Sequence, residues 1–207
     1  MKSASTLSSA FLHPAGQALP AALLALRFDK ASAVANLILP TRRTENWKYS
    51  AKHLKLTDDM ASTLPMNASA EAAADNTGYT VVMVNGVVRP EASKYPILEG
   101  LSIQRFSDLS EHDATVAANL LSNSISDQPA KSGSVNLSQL NGARFEDGLL
   151  IQLQPDTVLE QPLFLIHHTT ASHSGSAYPF IPVLAGNNNK PHAVENYVSS
   201  SDNGLMV

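Results

Sequence analysis

Cysteine is the residue type that this 207-residue chain lacks altogether. The chain therefore has no means of forming a disulfide, a thiolate zinc site, a cysteine-bound iron–sulfur cluster or a cysteine nucleophile. Charged residues are scarce as well, at 15%, against about a quarter in a typical soluble domain. The net charge of −4 argues against nucleic acid or an anionic membrane as the main partner.

Long apolar runs and familiar catalytic motifs are also missing. His13, Pro14 and Gly16 interrupt the N-terminal apolar stretch, so we expect neither a signal peptide nor a membrane-spanning helix. The chain contains no Walker loop and no GxGxxG, GxSxG, HExxH or CxxC pattern, which removes most motif-bearing enzyme classes. We expect a soluble, cytoplasmic protein.

Residues 1–76 are predicted to form a helical region. One apolar stripe recurs at helical spacing and comprises Leu24, Phe28, Ala31, Ala35 and Ile38. Pro40 ends this pattern, and the polar stretch TRRTENWKYS follows with the single tryptophan, Trp47. Our structural interpretation buries Trp47 against the stripe. The alternative is a binding patch in which the ring stacks on a ligand and Arg42, Arg43 and Lys48 hold an anion.

Residues 77–144 are predicted to form a hairpin and a connecting helical region. Asn85-Gly86 lies between two β-branched runs, a strong hairpin signal. Ser107 or Asp108 is the expected N-cap of the helix that follows, and a second short helix is expected to end at Asn141-Gly142.

Residues 145–207 are predicted to be short strands separated by turns. They recur without any helix-length pattern between them, and this spacing fits either an antiparallel sandwich or barrel, or a parallel β-helix. The last residues, GLMV, read as an unfinished strand, which suggests a fragment or a covering partner.

Histidines are the candidate metal ligands of the chain. His167, His173 and His192 form the candidate set, and Glu195 is the nearest carboxylate on a strand-like segment. His167 and His168 would point to opposite faces of one strand and could not both reach one ion. Our main interpretation is an edge pair at the surface or half-buried.

The segment around Trp47 resembles the SufD family, whose members belong to the SUF iron–sulfur cluster assembly machinery. The matching residues are Leu39, Pro40, Thr41, Arg42, Arg43, Glu45, Asn46, Trp47, Lys48, Tyr49 and Ser50. Weaker similarities follow in order, in VVMVNGVVRPEAS, EDGLLIQLQPDTVLEQPLFLIHH and HAVENYVSSSDNG, where Asn196 replaces a usual histidine. The structural motif carried over is Arg43, Glu45, Asn46, Trp47, Lys48 and Tyr49.

The resemblance implies a mixed α and β fold, in which the helical region leads into the first coils of a right-handed parallel β-helix. It implies a non-catalytic scaffold that pairs with a SufB-like paralogue and acts with a SufC-like ABC ATPase. The chain would correspond to the N-terminal half of such a protein, without the ATPase-docking region. It would hold no cofactor of its own, since the whole complex forms the cluster. The resemblance leaves open whether the chain also forms a homodimer.

Two other interpretations remain. One is a metal-dependent hydrolase or lyase of β-helix or cupin-like fold, with the ion held by His167, His173 and His192. The other is the paralogous SufB family, although the Trp47 segment favours SufD.

Overall fold

The computed structural model describes residues 19–34, 40–51, 78–126, 134–170, 176–199 and 205–206. These residues form three α-helices: α1 (Ala21–Val34), α2 (Glu111–Ser126) and α3 (Ser134–Arg144). They also form nine strands: β1 (Tyr79–Val84), β2 (Val87–Val88), β3 (Leu101–Arg105), β4 (Leu149–Leu153), β5 (Leu163–Thr169), β6 (Ser176–Ala177), β7 (Val183–Ala185), β8 (Ala193–Ser199) and β9 (Leu205–Met206). Single 3₁₀ turns lie at Glu45–Trp47, Pro90–Ala92 and Phe106–Asp108.

The described strands form three open sheets, in the orders β2-β1-β5-β8, β3-β4-β7 and β6-β9. β1, β5 and β8 pair in parallel, with Tyr79 opposite Leu163 and Leu163 opposite Ala193. β4 and β7 are also parallel, as are β6 and β9. The pairs β1–β2 and β3–β4 are antiparallel. Both larger sheets are therefore mixed.

The prediction of a right-handed parallel β-helix over residues 145–207 is wrong. Strands from this region are distributed among three separate sheets that neither close nor form a solenoid. β4 pairs with β3, and β5 pairs with β1, so each takes a neighbour from before residue 145. Strand pairing across such separations depends on tertiary contacts that strand spacing does not reveal. The fold is a mixed α and β architecture with open sheets.

The hairpin predicted at Asn85-Gly86 is confirmed. Met83 pairs with Val88 and Val84 with Val87 around a two-residue turn. Asn85 has φ 53° and Gly86 has φ 83°, the left-handed pair that a type I′ turn requires. Asn85 also joins the hairpin to the end of β5, since its Oδ1 accepts the N–H of Thr170 at 2.9 Å and its Nδ2 donates to the Thr170 hydroxyl at 2.9 Å.

The predicted stripe of α1 is only partly buried. Leu24 and Ala31 pack against the apolar interior as partly buried residues, and Ala35 and Ile38 lie outside the described residues. Phe28 is 68% exposed, while the buried residues of the helix are Leu23, Leu26, Arg27, Lys30 and Val34. The guanidinium of Arg27 donates to the Phe145 carbonyl at 3.2 Å, and its side chain packs on the Phe145 ring. Long basic side chains can bury their aliphatic stems in this way, and hydrophobicity patterns count them as polar.

The other helix ends differ by a few residues from the predictions. Ser110 caps α2, because its hydroxyl accepts the Asp113 N–H at 3.1 Å. The predicted caps Ser107 and Asp108 lie in the preceding 3₁₀ turn. Helix α3 continues past Asn141-Gly142 to Arg144.

Two main apolar clusters fill the interior. The helical cluster joins α1, α2 and α3 to the start of β4, with Phe106, Leu140 and Phe145 fully buried at its centre. The sheet cluster lies between the two larger sheets and includes Val81, Ile151 and Leu165, among others. The helical cluster contains residues from all three segments predicted from the sequence, 1–76, 77–144 and 145–207. The division of the chain into these three segments stays a prediction.

No helix in the described parts of the chain combines the length and the apolar character that crossing a membrane requires.

Candidate functional site

The Trp47 segment lies at the surface of the described structure. Trp47 is half-buried in a single 3₁₀ turn, and it is not among the residues of the helical cluster. Hydrogen bonds from the Thr41 and Arg43 N–H groups to threonine hydroxyls support the turn. The Lys48 ammonium lies 5.5 Å from the centroid of the Tyr49 ring, which is 79% exposed. The structural role expected of this segment stays a prediction. The motif residues concerned are Arg43, Glu45, Asn46, Trp47, Lys48 and Tyr49.

The structure keeps two of the three candidate metal ligands, His167 and His192, apart. His167 lies inside β5 and His192 is exposed just before β8, five positions from Tyr197, the register partner of His167. At about 3.3 Å per residue, that offset is roughly 16 Å along the strand. His173 lies outside the described residues. Within the described ranges, no group of three or more histidine, cysteine, aspartate or glutamate side chains could hold a metal ion.

The prediction that His167 and His168 form an edge pair at the surface or half-buried is wrong. His167 is 2% exposed and His168 is 6% exposed. Their strand, β5, is an inner strand with β1 on one side and β8 on the other. His167 shares its register with Met83 and Tyr197, and His168 with Val84 and Val198.

His167, Tyr197 and Glu195 form one side-chain cluster, which we call the β8 cluster. The rings of His167 and Tyr197 stack with centroids 4.7 Å apart and planes 9° apart. The Tyr197 hydroxyl donates to Glu195 Oε2 at 2.9 Å. Among the described residues, neither ring nitrogen of His167 has a hydrogen-bond partner. Glu195 and Tyr197 share one face because side chains two positions apart on a strand point the same way, and His167 shares that face as the register partner of Tyr197.

Burial and charge act on the protonation of this cluster. Burial lowers the pKa of His167, and the negative charge of Glu195 opposes this effect. Partial burial, followed by the hydrogen bond and charge of Glu195, raises the pKa of Tyr197 to about 12. At neutral pH the cluster therefore presents a neutral imidazole and a neutral phenol.

β8 is the last strand of its sheet in the described structure and has one free edge. The His192 carbonyl accepts the Leu163 N–H at 2.8 Å. In a parallel ladder the bonding residues alternate, so even-numbered residues of β8 bond to β5. The backbone groups of Ala193, Glu195 and Tyr197 consequently lie along the free edge.

β7 ends the second larger sheet in the same way, and the two terminal strands expose large apolar side chains. The exposed residues are Val183, Leu184, Tyr197 and Val198. Neither strand contains lysine, arginine or proline, the residues that commonly protect a free edge from pairing with another chain. Glu195 is the one charge on these two strands. The edges of β7 and β8 are therefore suited to pairing with a further strand.

An open groove of about 490 Å³ lies beside β7, between β3, β4 and the turns near Gly100 and Pro155. Its polar side chains are Ser102, Gln152 and Gln154, and none of its lining residues is charged. The groove lacks a titratable group that could act as an acid, a base or a nucleophile. The groove is therefore a weaker candidate for a catalytic site than the free strand edges are for a protein-binding site.

Sequence reasoning identified Glu195 as a carboxylate near the histidines but did not identify Tyr197. The missing information is the register between β5 and β8, which places Tyr197 opposite His167 across thirty positions of sequence. Alternation within AVENYVS would have indicated that Glu195 and Tyr197 share a face.

No model of a known protein family matches this chain, and no curated protein matches it either.

Proposed function

We propose that this chain is a non-catalytic, SufD-like scaffold subunit of a cytoplasmic iron–sulfur cluster assembly complex. In this role it pairs with a SufB-like paralogue and acts with a SufC-like ATPase. The observation that carries the proposal is the free edge of β8, which offers unpaired backbone groups together with the exposed side chains of Tyr197 and Val198. Strand addition at such an edge is a common way for two chains to bind.

The resemblance of the sequence gives the proposal its particular partner. Since the β-helix prediction is wrong for the described strands, the resemblance contributes only through the Trp47 segment and the order of the segments after it. A scaffold role needs surfaces more than chemistry, and the exposed apolar residues of β7 and β8 provide such a surface.

Co-purification of the chain with a SufB-like paralogue tests the proposal. Val198→Lys places a charge on the apolar edge, and Ala193→Pro removes a backbone donor from the free side of β8. We expect each variant to weaken binding about tenfold or more, which corresponds to roughly 1.4 kcal/mol. Phe28→Lys is the matched control, because Phe28 is equally apolar and 68% exposed but lies on α1.

Binding that is unaffected by both edge variants, or weakened equally by Phe28→Lys, would refute the role of the edge. Failure of the unmodified chain to bind the paralogue would refute the proposed function itself.

A further inference from the structure

We propose that the β8 cluster recognises a cationic side chain, a guanidinium or an alkylammonium group, on the partner strand that pairs with β8. This inference rests on the proposed function, because it assigns a chemistry to the segment that occupies the free edge. Its support comes from three side chains on one face of the sheet and from the backbone beside them.

Tyr197 provides an aromatic surface. One face of its ring is covered by the His167 imidazole, with the centroids 4.7 Å apart. The residue nevertheless remains 62% exposed, so the opposite face of the ring is open to solvent. The negative face of an aromatic ring attracts a cation placed over it, within about 6 Å of the centroid.

Glu195 provides the negative charge. Its Oε2 accepts the Tyr197 hydroxyl at 2.9 Å, which fixes the carboxylate next to the ring. Glu195 is exposed, and a carboxylate can accept about four hydrogen bonds, so acceptor capacity remains. Arginine and lysine form charge-assisted hydrogen bonds with such a group. No lysine or arginine occurs in β7 or β8 to neutralise it.

His167 supports the Tyr197 ring from behind and brings no charge to the cluster. The residue is only 2% exposed, and its ring nitrogens have no hydrogen-bond partner among the described residues. Burial keeps this imidazole neutral at neutral pH by lowering its pKa. The imidazole therefore adds no positive charge that would repel the cation.

The backbone of β8 sets the distance between the cluster and the partner. A strand added at the free edge would lie about 4.8 Å from β8, with opposing Cβ atoms about 4.5–5.5 Å apart. A lysine or arginine on that strand, facing the same side as Glu195 and Tyr197, can place its charged group over the ring and beside the carboxylate. The unpaired backbone groups of Glu195 and Tyr197 would hold the strand in this register.

The test uses the complete chain and two blocked peptides, Thr-Val-Thr-Arg-Thr-Val-Thr and the same sequence with citrulline in place of arginine. Citrulline keeps the shape of the side chain and removes its charge. Titrations followed by backbone amide chemical shifts give both dissociation constants and show whether the shifts concentrate in β8. We expect the arginine peptide to bind about tenfold more tightly at low salt.

Two variants locate the preference. Glu195→Gln and Tyr197→Leu should each reduce the ratio of the two dissociation constants to about twofold or less, because each removes one source of attraction for the cation. Tyr197→Phe keeps the ring and should retain most of the preference. Glu160→Gln, which neutralises an exposed carboxylate between β4 and β5, should leave the ratio unchanged. Circular dichroism spectra confirm that each variant is folded.

Equal binding of the two peptides to the unmodified chain would overturn the inference, as would a preference that survives Glu195→Gln. The proposed function has a separate outcome. If Val198→Lys disrupts the paralogue complex while the peptides bind equally, only the cation site is refuted. If the peptides are discriminated while the paralogue fails to bind, the cation site stands and the proposed partner is refuted.

Discussion

Asp147 lies fully buried 3.4 Å from Arg105, with its Oδ2 facing the guanidinium Nη2. The same oxygen accepts the backbone N–H of Val88 at 3.2 Å, so this carboxyl connects the hairpin strand β2 to β3 and the start of β4. Burial raises the pKa of Asp147, against the opposing effects of the Gly148 N–H, the Arg105 charge and the Val88 N–H. A carboxyl group in this position makes stability depend on pH.

We expect Asp147→Asn to remove one component of that dependence. The folded chain holds the Asp147 proton more tightly than the unfolded chain does, so this group favours folding at low pH. Its contribution is lost as the pH rises from about 3.9 through the raised pKa. Urea unfolding at pH 4.5, 5.5, 6.5 and 7.5 measures the difference between wild type and variant. That difference should shift in favour of the variant as the pH rises.

Asp108→Asn is the control for this measurement, since Asp108 is exposed in the 3₁₀ turn before α2. Identical pH profiles for the wild type and Asp147→Asn would contradict the prediction.

We expect His167 to give a pH dependence of the opposite sign. Burial lowers its pKa, so the unfolded chain binds more protons than the folded chain over the interval between the lowered value and about 6.5. The contribution of His167 is complete above this interval and is lost as the pH falls through it. His167→Phe keeps a flat ring against Tyr197 and should make the unfolding midpoint less sensitive to acid between pH 7.5 and pH 5.

His112→Gln provides the comparison, because His112 lies exposed on α2. The prediction would be contradicted if His167→Phe kept the acid sensitivity of the wild type and His112→Gln reduced it. Glu195 and Tyr197 are the titratable groups of the β8 cluster that face His167, and both should be kept intact in this comparison.

We expect Phe145→Ala to be among the most destabilising single changes in the chain. Its buried ring makes edge contacts with Phe106 and Phe180, at centroid distances of 5.7 and 5.6 Å. Truncation of such a side chain removes apolar burial and leaves a cavity, at a cost of about 3–5 kcal/mol. Phe28→Ala is the matched control and should change the free energy of unfolding by only about 0.5 kcal/mol, because Phe28 is 68% exposed. Equal losses in the two variants would contradict the proposed centre of the helical cluster.

Features that depend on neighbouring residues could be predicted from the sequence. The Asn85-Gly86 hairpin is the clearest example, since its left-handed turn needs residues that the dipeptide itself provides. The buried stripe of α1 could not be predicted in the same way. Arg27 and Lys30 are charged, and only the positions of Phe145 and α3 explain why their stems are covered.

The arrangement of the strands and of the candidate site was also inaccessible from local patterns. The segment LFLIHHT indicates a strand, but whether that strand is central or at an edge depends on β1 and β8, which are distant in the sequence. That position in the sheet decides whether His167 is buried and which ring it stacks against. The face shared by Glu195 and Tyr197 follows from alternation, whereas its relation to His167 follows from register.

The hydrogen bonds between Asn85 and Thr170 join groups 85 residues apart in the chain. At a translation rate of about 5–20 residues per second, the hairpin leaves the ribosome roughly 4–17 s before the end of β5 becomes available to it. During this delay the valines of β1 have no β5 to cover them. Because transiently exposed apolar strands are prone to aggregate, this interval is the stage of synthesis at which shielding of β1 would matter most.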